Sequence, residues 1–218
     1  IYPIVGVFLA TWTSGANALP LLFPLISGFA LIGPFAAIGL YEISRRRELG
    51  LNASWWHAFE VRNSPALPAI AAVGGMLLVI FLAWLLTAQA FYENLFGRIP
   101  PESIGAFLRE IYSTDRGWTL IIVGHAIGFM FALVVLSTTV IAFPLLLDRD
   151  VGALEAVRAS MRAVLANPIP MAVWGLMVAI GLMIGSALAF AGLAVVLPIL
   201  GHATWHLYRK VTEPAPRR

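Results

Sequence analysis

The sequence ALPAIAAVGGMLLVIFLAWLLTAQAF at residues 66–91 decides the fold class of this chain. It contains no charged residue, and only Gln89 interrupts its apolar character. A helix that crosses the hydrocarbon core of a bilayer needs roughly 20 consecutive, mostly apolar residues. The stretch therefore predicts a membrane-spanning helix. A chain in lipid must satisfy its backbone hydrogen bonds internally, which excludes an open β-sheet beside that helix.

The composition of the whole chain extends this prediction to the remaining sequence. Of its 218 residues, 60% are hydrophobic and 11% are charged, and the mean hydropathy is +0.88. Soluble domains carry about 25% charged residues, so this chain has too few charges to cover a globule in water. The absence of cysteine excludes disulfides, thiolate metal sites and cysteine nucleophiles. We expect a single transmembrane domain over residues 1–218.

Further apolar stretches lie on both sides of residues 66–91. They predict an all-α fold, a polytopic transmembrane helix bundle of about six spans. The first stretch is short, and because the chain begins at Ile1 without a Met, we expect it to continue upstream. Gly185 and Ser186 predict a turn between the last two spans. The predicted spans are residues 1–15, 20–43, 66–91, 118–147, 168–187 and 188–208.

Lysine and arginine predict the orientation of these spans. Cytoplasmic connections of membrane proteins are enriched in both residues. The connection between the third and fourth predicted spans holds only Arg98, Arg109 and Arg116, which places it on the outer side. We predict a multi-pass protein of the inner membrane with both termini in the cytoplasm. The basic residues on the predicted cytoplasmic side are Arg45, Arg46, Arg47, Arg62, Arg149, Arg158, Arg162, Arg209, Lys210, Arg217 and Arg218.

Three connections are predicted to form amphipathic helices at the membrane interface, over residues 53–62, 102–112 and 151–165. Trp55, Trp56 and Phe59 are the expected aromatic anchors of the first. Asn167 and Pro168 predict an N-cap and first-turn proline for the span that follows the third. In that third helix, we expect one apolar stripe to face the acyl chains, formed by Val151, Leu154, Val157, Met161 and Val164.

Few ionisable residues fall within the predicted spans, where such groups are costly and often functional. His202 and His206 are four residues apart and project from one helix face, so together with Glu42 they form a possible metal site. The alternative is that these residues, with Asp148, are interfacial groups bonded to Arg45, Arg149 or lipid headgroups, and we favour this interpretation. For His125 we expect a hydrogen bond across helices to a carbonyl or hydroxyl rather than haem ligation. We predict no catalytic residue and no cofactor.

The arginines on the predicted cytoplasmic side suit lipid headgroups or an acidic surface of a partner. The residues concerned are Arg45, Arg46, Arg47, Arg158 and Arg162, although a role in topology alone would also explain them. No basic stripe interleaved with aromatic residues occurs, so we expect no nucleic acid partner. The expected partners are membrane lipids, including structural lipids, and other integral membrane subunits.

Three segments carry a resemblance to a known family: GFALIGPFAAIGLYEISRRR at 28–47, FPLLLDRDVGALEAVRASMRAVLANP at 143–168 and LPILGHATWHLY at 197–208. In these segments the chain resembles a family of bacterial six-span membrane proteins of unknown function. The resemblance implies location in a bacterial inner membrane. Some members are linked by name to cytochrome c oxidase subunit I, but four histidines are too few to bind two haems and copper.

These observations favour a non-catalytic accessory, assembly or scaffold subunit of a larger inner-membrane complex, respiratory or photosynthetic. One alternative is a small transporter or permease, which requires a polar cavity near the middle of the membrane. Another is a metal- or haem-binding membrane protein. The scarcity of polar side chains within the spans weighs against both alternatives.

Overall fold

The computed structural model describes residues 33–98, 101, 103–187 and 191–212, and within these ranges all regular secondary structure is helical. A 3₁₀ helix, Trp55–Asn63, lies between the second and third α-helices. The α-helices are α1 Gly33–Ala36, α2 Ile38–Glu48, α3 Leu67–Phe96, α4 Ile104–Ser113, α5 Asp115–Thr139, α6 Ala142–Asp148, α7 Ala153–Ala166, α8 Pro168–Ala187 and α9 Leu193–Thr212.

Three helical segments are long and apolar enough to cross a membrane: Leu67–Phe96, Asp115–Asp148 and Pro168–Ala187. These three candidate spans coincide with the spans predicted at 66–91, 118–147 and 168–187. The span predicted at 1–15 and the first part of 20–43 lie outside the described residues. Helix α9 overlaps the span predicted at 188–208 but is not among the three, because its second half carries several polar and charged side chains. The count of about six spans therefore stays a prediction.

The span Asp115–Asp148 is broken between α5 and α6, and Pro144 explains the break. Proline has no N–H to donate to the carbonyl four residues earlier, which here belongs to Val140, and its ring clashes with that carbonyl. The helix is interrupted at Val140 and Ile141. The backbone N–H of Ile141 is buried and donates instead to the Ser160 hydroxyl of α7, at 3.2 Å. Helix α7 thereby stabilises the break in its neighbour.

One local sequence prediction was wrong, and a second holds only in part. The turn predicted at Gly185 and Ser186 is absent, because α8 continues through both residues to Ala187. Gly185 instead allows close packing: a Cβ on Gly192 would lie 2.9 Å from the Gly185 Cα. Asn167 occupies the N-cap position of α8, since its carbonyl oxygen accepts from the Met171 N–H at 3.0 Å. Its side chain, however, donates to the Ala163 carbonyl at the end of α7, at 3.0 Å, and so caps the helix before it. Helix α8 does begin at Pro168, as predicted.

The three predicted interfacial helices all occur, although the first is a 3₁₀ helix. Trp55, Trp56 and Phe59 project from it with more than half of each side chain exposed, as expected for interface anchors. Helix α4 begins at its N-cap Ser103, whose hydroxyl accepts from the Ala106 N–H at 3.1 Å.

The face of α7 that packs on the bundle differs from the predicted apolar stripe. The fully buried residues of α7 are small, namely Ala156, Ser160 and Ala163. Leu154 and Met161, from the predicted stripe, are exposed. Small side chains let two helix backbones approach closely, which explains why they rather than the larger residues form the contact.

The buried core lies near one end of the bundle. It is built from the first half of α3, the break between α5 and α6, the start of α8 and the last turns of α9. Helix α9 packs on both α8 and α2. The largest fully buried side chains are Trp205, Tyr208, Phe143, Ile70, Leu77, Ile141, Leu146 and Met171.

Candidate functional site

The ends of α2, α6 and α9 converge on a network of charged and polar side chains, which we call the polar end cluster. All three ends lie at the predicted cytoplasmic face, where the positively charged residues of the sequence concentrate. The polar end cluster consists of Glu42, Ser44, Arg45, Glu48, Asp148, His202, Trp205, Tyr208 and Arg209.

Glu42 is the most buried charged residue of the cluster, and it forms an ion pair with Arg45. The two residues are one helical turn apart on α2, so their side chains meet on one face. Arg45 donates from Nε and Nη2 to the two carboxylate oxygens, at 2.8 and 3.0 Å. The Glu42 side chain is only 7% exposed, so it depends on this partner. The hydrogen bond from Arg45 to Glu42 raises the pKa of the Arg45 guanidinium despite its partial burial.

Asp148, at the end of α6, connects that helix to α9. Its Oδ2 accepts a hydrogen bond of 2.5 Å from the hydroxyl of Tyr208, which is completely buried. Arg209 Nη1 lies 3.4 Å from the same oxygen, and Arg149 Nε lies 3.9 Å from it. Hydrogen bonds to a charged group are stronger than those between neutral groups, so Asp148 fixes the orientation of the last turns of α9.

Helices α2 and α9 are joined by three further polar contacts. The Ser44 hydroxyl and His202 Nδ1 are 2.6 Å apart. Trp205 Nε1 donates to a Glu48 carboxylate oxygen at 2.8 Å, and Arg209 Nε pairs with the other oxygen at 2.9 Å. Together these contacts hold the end of the second predicted span against the sixth predicted span.

Gly201 explains how α2 and α9 come close enough for these contacts. A Cβ at position 201 would lie 2.7 Å from Leu40 Cδ1 and 2.9 Å from Leu40 Cβ. A larger residue here would push the two helices apart and lengthen the polar contacts beyond it.

A pocket of about 400 Å³ opens beside the Glu42–Arg45 pair. It lies between α2, the 3₁₀ helix, the start of α3 and the end of α6. It is lined by Glu42, Arg45, Arg46, Glu60, Val61, Asn63, Ser64, Pro65, Ala66, Leu146, Leu147, Asp148, Arg149 and Asp150.

The structure does not assemble the predicted metal ligands Glu42, His202 and His206 into a metal site. Glu42 is paired with Arg45, and His202 is bonded to Ser44. The side chain of His206 is on the exposed side of α9. Among the described residues, no group of three histidine or acidic side chains could hold a metal ion. The arrangement agrees with the alternative interpretation, in which these polar residues bond to each other and to arginines at the interface.

The arginines predicted to contact headgroups or partners divide into two groups. Arg45 and Arg46 are paired within the bundle, Arg46 donating to Glu60 at 2.6 Å and to the Asn52 carbonyl at 2.8 Å. Arg47 and Arg158 are exposed. Arg162 is also exposed and pairs with Glu155 of the same helix at 2.5 Å.

Sequence reasoning did not single out Tyr208 or Trp205 as parts of the site. One signal was available: His202, Trp205 and Arg209 recur at three- and four-residue steps and therefore share a helix face. In the structure that face of α9 meets α2 and α6. His125 lies in α5 with its Nδ1 2.6 Å from the Ile121 carbonyl oxygen of the same helix. This contact is to a carbonyl, but it lies within one helix, whereas the prediction was a bond across helices.

A family model described as predicted integral membrane protein (DUF2189) matches residues 22–148, more than half of the chain. The chain belongs to this family. The matched segment contains the Glu42–Arg45 pair, Asp148 and most of the pocket lining, whereas α7, α8 and α9 follow it. No curated protein and no solved structure matches the chain. Membership establishes an integral membrane protein of a family without assigned function.

Proposed function

We propose that this chain is a non-catalytic accessory, assembly or scaffold subunit that associates with a larger inner-membrane complex, respiratory or photosynthetic. A subunit of this kind needs a stable transmembrane fold and an apolar surface on which another membrane subunit can pack. It does not need a reaction centre.

The observation that carries the proposal is the outward surface of α5, which we call the open face. Within the described residues this helix is the most exposed of the three apolar spans, and only 6% of its most apolar window is buried. Ala126 is an exposed small residue of this face, one helical turn from both Ile122 and Met130. A small residue in an apolar surface lets a second helix approach closely. The open face comprises Trp118, Ile122, Val123, Phe129, Met130, Leu133 and Val134.

The hydroxyl groups in the spans support this role over transport. Those of Thr87, Ser137 and Thr139 each donate to the backbone carbonyl four residues earlier in their own helix, at 2.7 Å. Bonded in this way, they do not project donors into a polar pathway. The pocket described above also lies at the helix ends, whereas a transporter binds its substrate near the middle of the membrane.

The test is affinity purification of the tagged full chain from its native membrane in mild detergent, with every co-purifying protein identified. We expect stoichiometric recovery with the subunits of one complex. Ala126→Leu should lose these subunits, because the new side chain fills the approach on the open face. Ala72→Leu is the matched control, since Ala72 of α3 is also exposed.

Two results would contradict the proposal. One is recovery of the chain alone, as a monomer or a homo-oligomer. The other is equal recovery of all partners with both alanine variants, which would show that the open face takes no part in the interaction.

The proposed orientation places both termini in the cytoplasm, and the cysteine-free sequence makes it directly testable. Arg109 and Arg158 are both exposed, on α4 and α7 respectively. A cysteine placed at Arg109 should react with a membrane-impermeant maleimide added to intact spheroplasts, whereas one at Arg158 should react only after lysis. The reverse labelling pattern would show that the orientation is opposite to the one proposed.

A further inference from the structure

The pocket beside the Glu42–Arg45 pair has a chemical character that the proposed accessory role does not require. Its volume of about 400 Å³ is in the range typical of small-ligand sites. Its charged lining mixes carboxylates and guanidiniums: Glu42, Glu60, Asp148 and Asp150 against Arg45, Arg46 and Arg149.

Two neighbouring side chains of this lining are available to a ligand. Glu42 with Arg45, and Glu60 with Arg46, already form close ion pairs. The Arg149 side chain is 55% exposed, and its Nε is 3.9 Å from the Asp148 carboxylate, which is too long for a hydrogen bond. Asp150 has no ion-pair partner among the described residues. The pocket therefore offers one guanidinium and one carboxylate from two consecutive residues of its lining.

The pocket lies at the boundary between the apolar spans and water. Helix α6 ends at Asp148 and α3 begins at Leu67, so both charged and apolar surface border it. Leu67 is 40% exposed next to the lining residue Ala66. Trp55 and Trp56, exposed on the adjacent 3₁₀ helix, are typical of the headgroup layer. A ligand reaches such a site most directly from the headgroup layer itself.

We propose that this pocket binds the headgroup of a phospholipid that carries both a phosphate and a primary ammonium group, as phosphatidylethanolamine does. The phosphate binds at Arg149 and the ammonium at Asp150, with Glu60 on the opposite wall. The exposed surface of Leu67 accommodates the first acyl carbons. This inference is independent of the accessory role, because it concerns a site within the chain.

The lining discriminates between the common headgroups. A quaternary ammonium, as in phosphatidylcholine, donates no hydrogen bonds and is recognised by aromatic cages, yet none of the described residues that line this pocket is aromatic. A primary ammonium donates three hydrogen bonds, which suits carboxylates. A purely anionic headgroup, as in phosphatidylglycerol, has no positive group to pair with the Asp150 carboxylate and is repelled by it. The site is thus matched to a headgroup with both charges.

The experiment is native mass spectrometry of the purified full chain in detergent, to which phosphatidylethanolamine, phosphatidylcholine or phosphatidylglycerol is added at equal concentration. We expect phosphatidylethanolamine to bind about tenfold more tightly than the other two, as one additional charge-assisted hydrogen bond provides. The double variant Arg149→Gln/Asp150→Asn should reduce its binding to the level of phosphatidylcholine. The matched control is Arg109→Gln/Glu110→Gln, an exposed pair of the same charges on α4, which should bind like the parent.

Free phosphoethanolamine at the same concentration distinguishes a lipid ligand from a soluble one. We expect it to leave the lipid bound, since it lacks acyl chains, and displacement would overturn the assignment to a lipid. Equal binding of all three lipids by the parent would overturn the proposed headgroup selectivity. Unchanged phosphatidylethanolamine binding by the double variant, with gel filtration showing it folded, would exclude this pocket as the site.

Discussion

The polar end cluster and the open face of α5 show two different ways in which this chain meets its surroundings. In the cluster, charged and aromatic side chains from three helices are buried and bonded to one another, as Glu42 with Arg45 and Asp148 with Tyr208 illustrate. On the open face, large apolar side chains such as Ile122 and Phe129 are about two-thirds exposed. The side chains of the polar end cluster bond to one another within the chain, whereas those of the open face are free to contact lipid or a partner.

The difference follows from the bilayer as a solvent. Moving an apolar side chain from lipid into a protein interior gains little, so helices in membranes associate through close packing and hydrogen bonds rather than through the hydrophobic effect. The polar end cluster provides both, together with the close approach at Gly201. We therefore expect most of the stability of the helix assembly to depend on this end, and substitutions can test that expectation.

The largest effect is expected from Arg45→Ala. It leaves the Glu42 carboxylate, only 7% exposed, without its bidentate partner. Loss of one member of a buried ion pair typically destabilises by about 3–5 kcal/mol, and because Arg45 is partly exposed we expect a value near 3 kcal/mol. The free energy of unfolding in detergent micelles, measured by denaturant titration, tests this. Arg47→Ala, exposed on the same helix, should change it by less than about 0.5 kcal/mol, and equal losses in both variants would argue against the role of the pair.

Tyr208→Phe should have the next largest effect, because it removes one hydroxyl and keeps the buried ring. The Asp148 carboxylate loses its 2.5 Å hydrogen bond, and such bonds to charged groups contribute about 1.5–3 kcal/mol. We expect a loss of about 2 kcal/mol by the same titration. Tyr112→Phe provides the comparison, since Tyr112 is 63% exposed. A Tyr208→Phe variant as stable as the parent would show that Asp148 does not hold α9 in place.

Ser160→Ala examines the support that α7 gives to the break between α5 and α6. The variant leaves the buried N–H of Ile141 without its acceptor, at an expected cost of about 1.5 kcal/mol. The exposed Ser113, whose hydroxyl bonds within its own helix α4, serves as control, and Ser113→Ala should stay within about 0.5 kcal/mol of the parent. Replacing Pro144 by Ala in the Ser160→Ala background should recover part of the loss, because a continuous helix satisfies that N–H internally.

The smallest effects are expected within α5, where two adjacent valines differ in environment. Val134 is 45% exposed on the open face, and Val135 is 5% exposed against the core. Val135→Ala should destabilise by about 1 kcal/mol through lost packing, and Val134→Ala by less than about 0.5 kcal/mol. Equal losses at the two positions would mean that the open face is covered within the isolated chain.

The membrane-spanning character and much of the helix pattern could be predicted from the sequence. Residues 66–91 and 168–187 are apolar enough that length and composition alone define a helix, because a lipid solvent leaves the backbone no other way to satisfy its hydrogen bonds. The hydrogen-bond partner of each polar side chain was harder to predict from the sequence. Glu42 and Arg45 lie one turn apart and could be paired from spacing, but Ser44 and His202 come together only because Gly201 lets two helices of distant sequence approach.

The error at Gly185 has a physical origin. Gly185 indicated a turn because glycine often ends helices, but in a membrane it also serves helix contacts, and here it packs against Gly192. For α7, the sequence did not identify the small residues Ala156, Ser160 and Ala163 as the face that packs on the bundle. At both places the neighbouring helix determined which residues form the contact.

The sequence by itself determined that this chain is an all-helical membrane protein, where three of its spans run and where its charges concentrate, because the requirements of the bilayer act on each segment separately. Only the tertiary structure decided that the ends of α2, α6 and α9 form one network, that Ser160 satisfies the break near Pro144, and that Arg149 and Asp150 border a pocket. Those features depend on which helices are neighbours. Neighbouring helices are selected by close packing and by hydrogen bonds between residues far apart in the chain, which no single segment encodes.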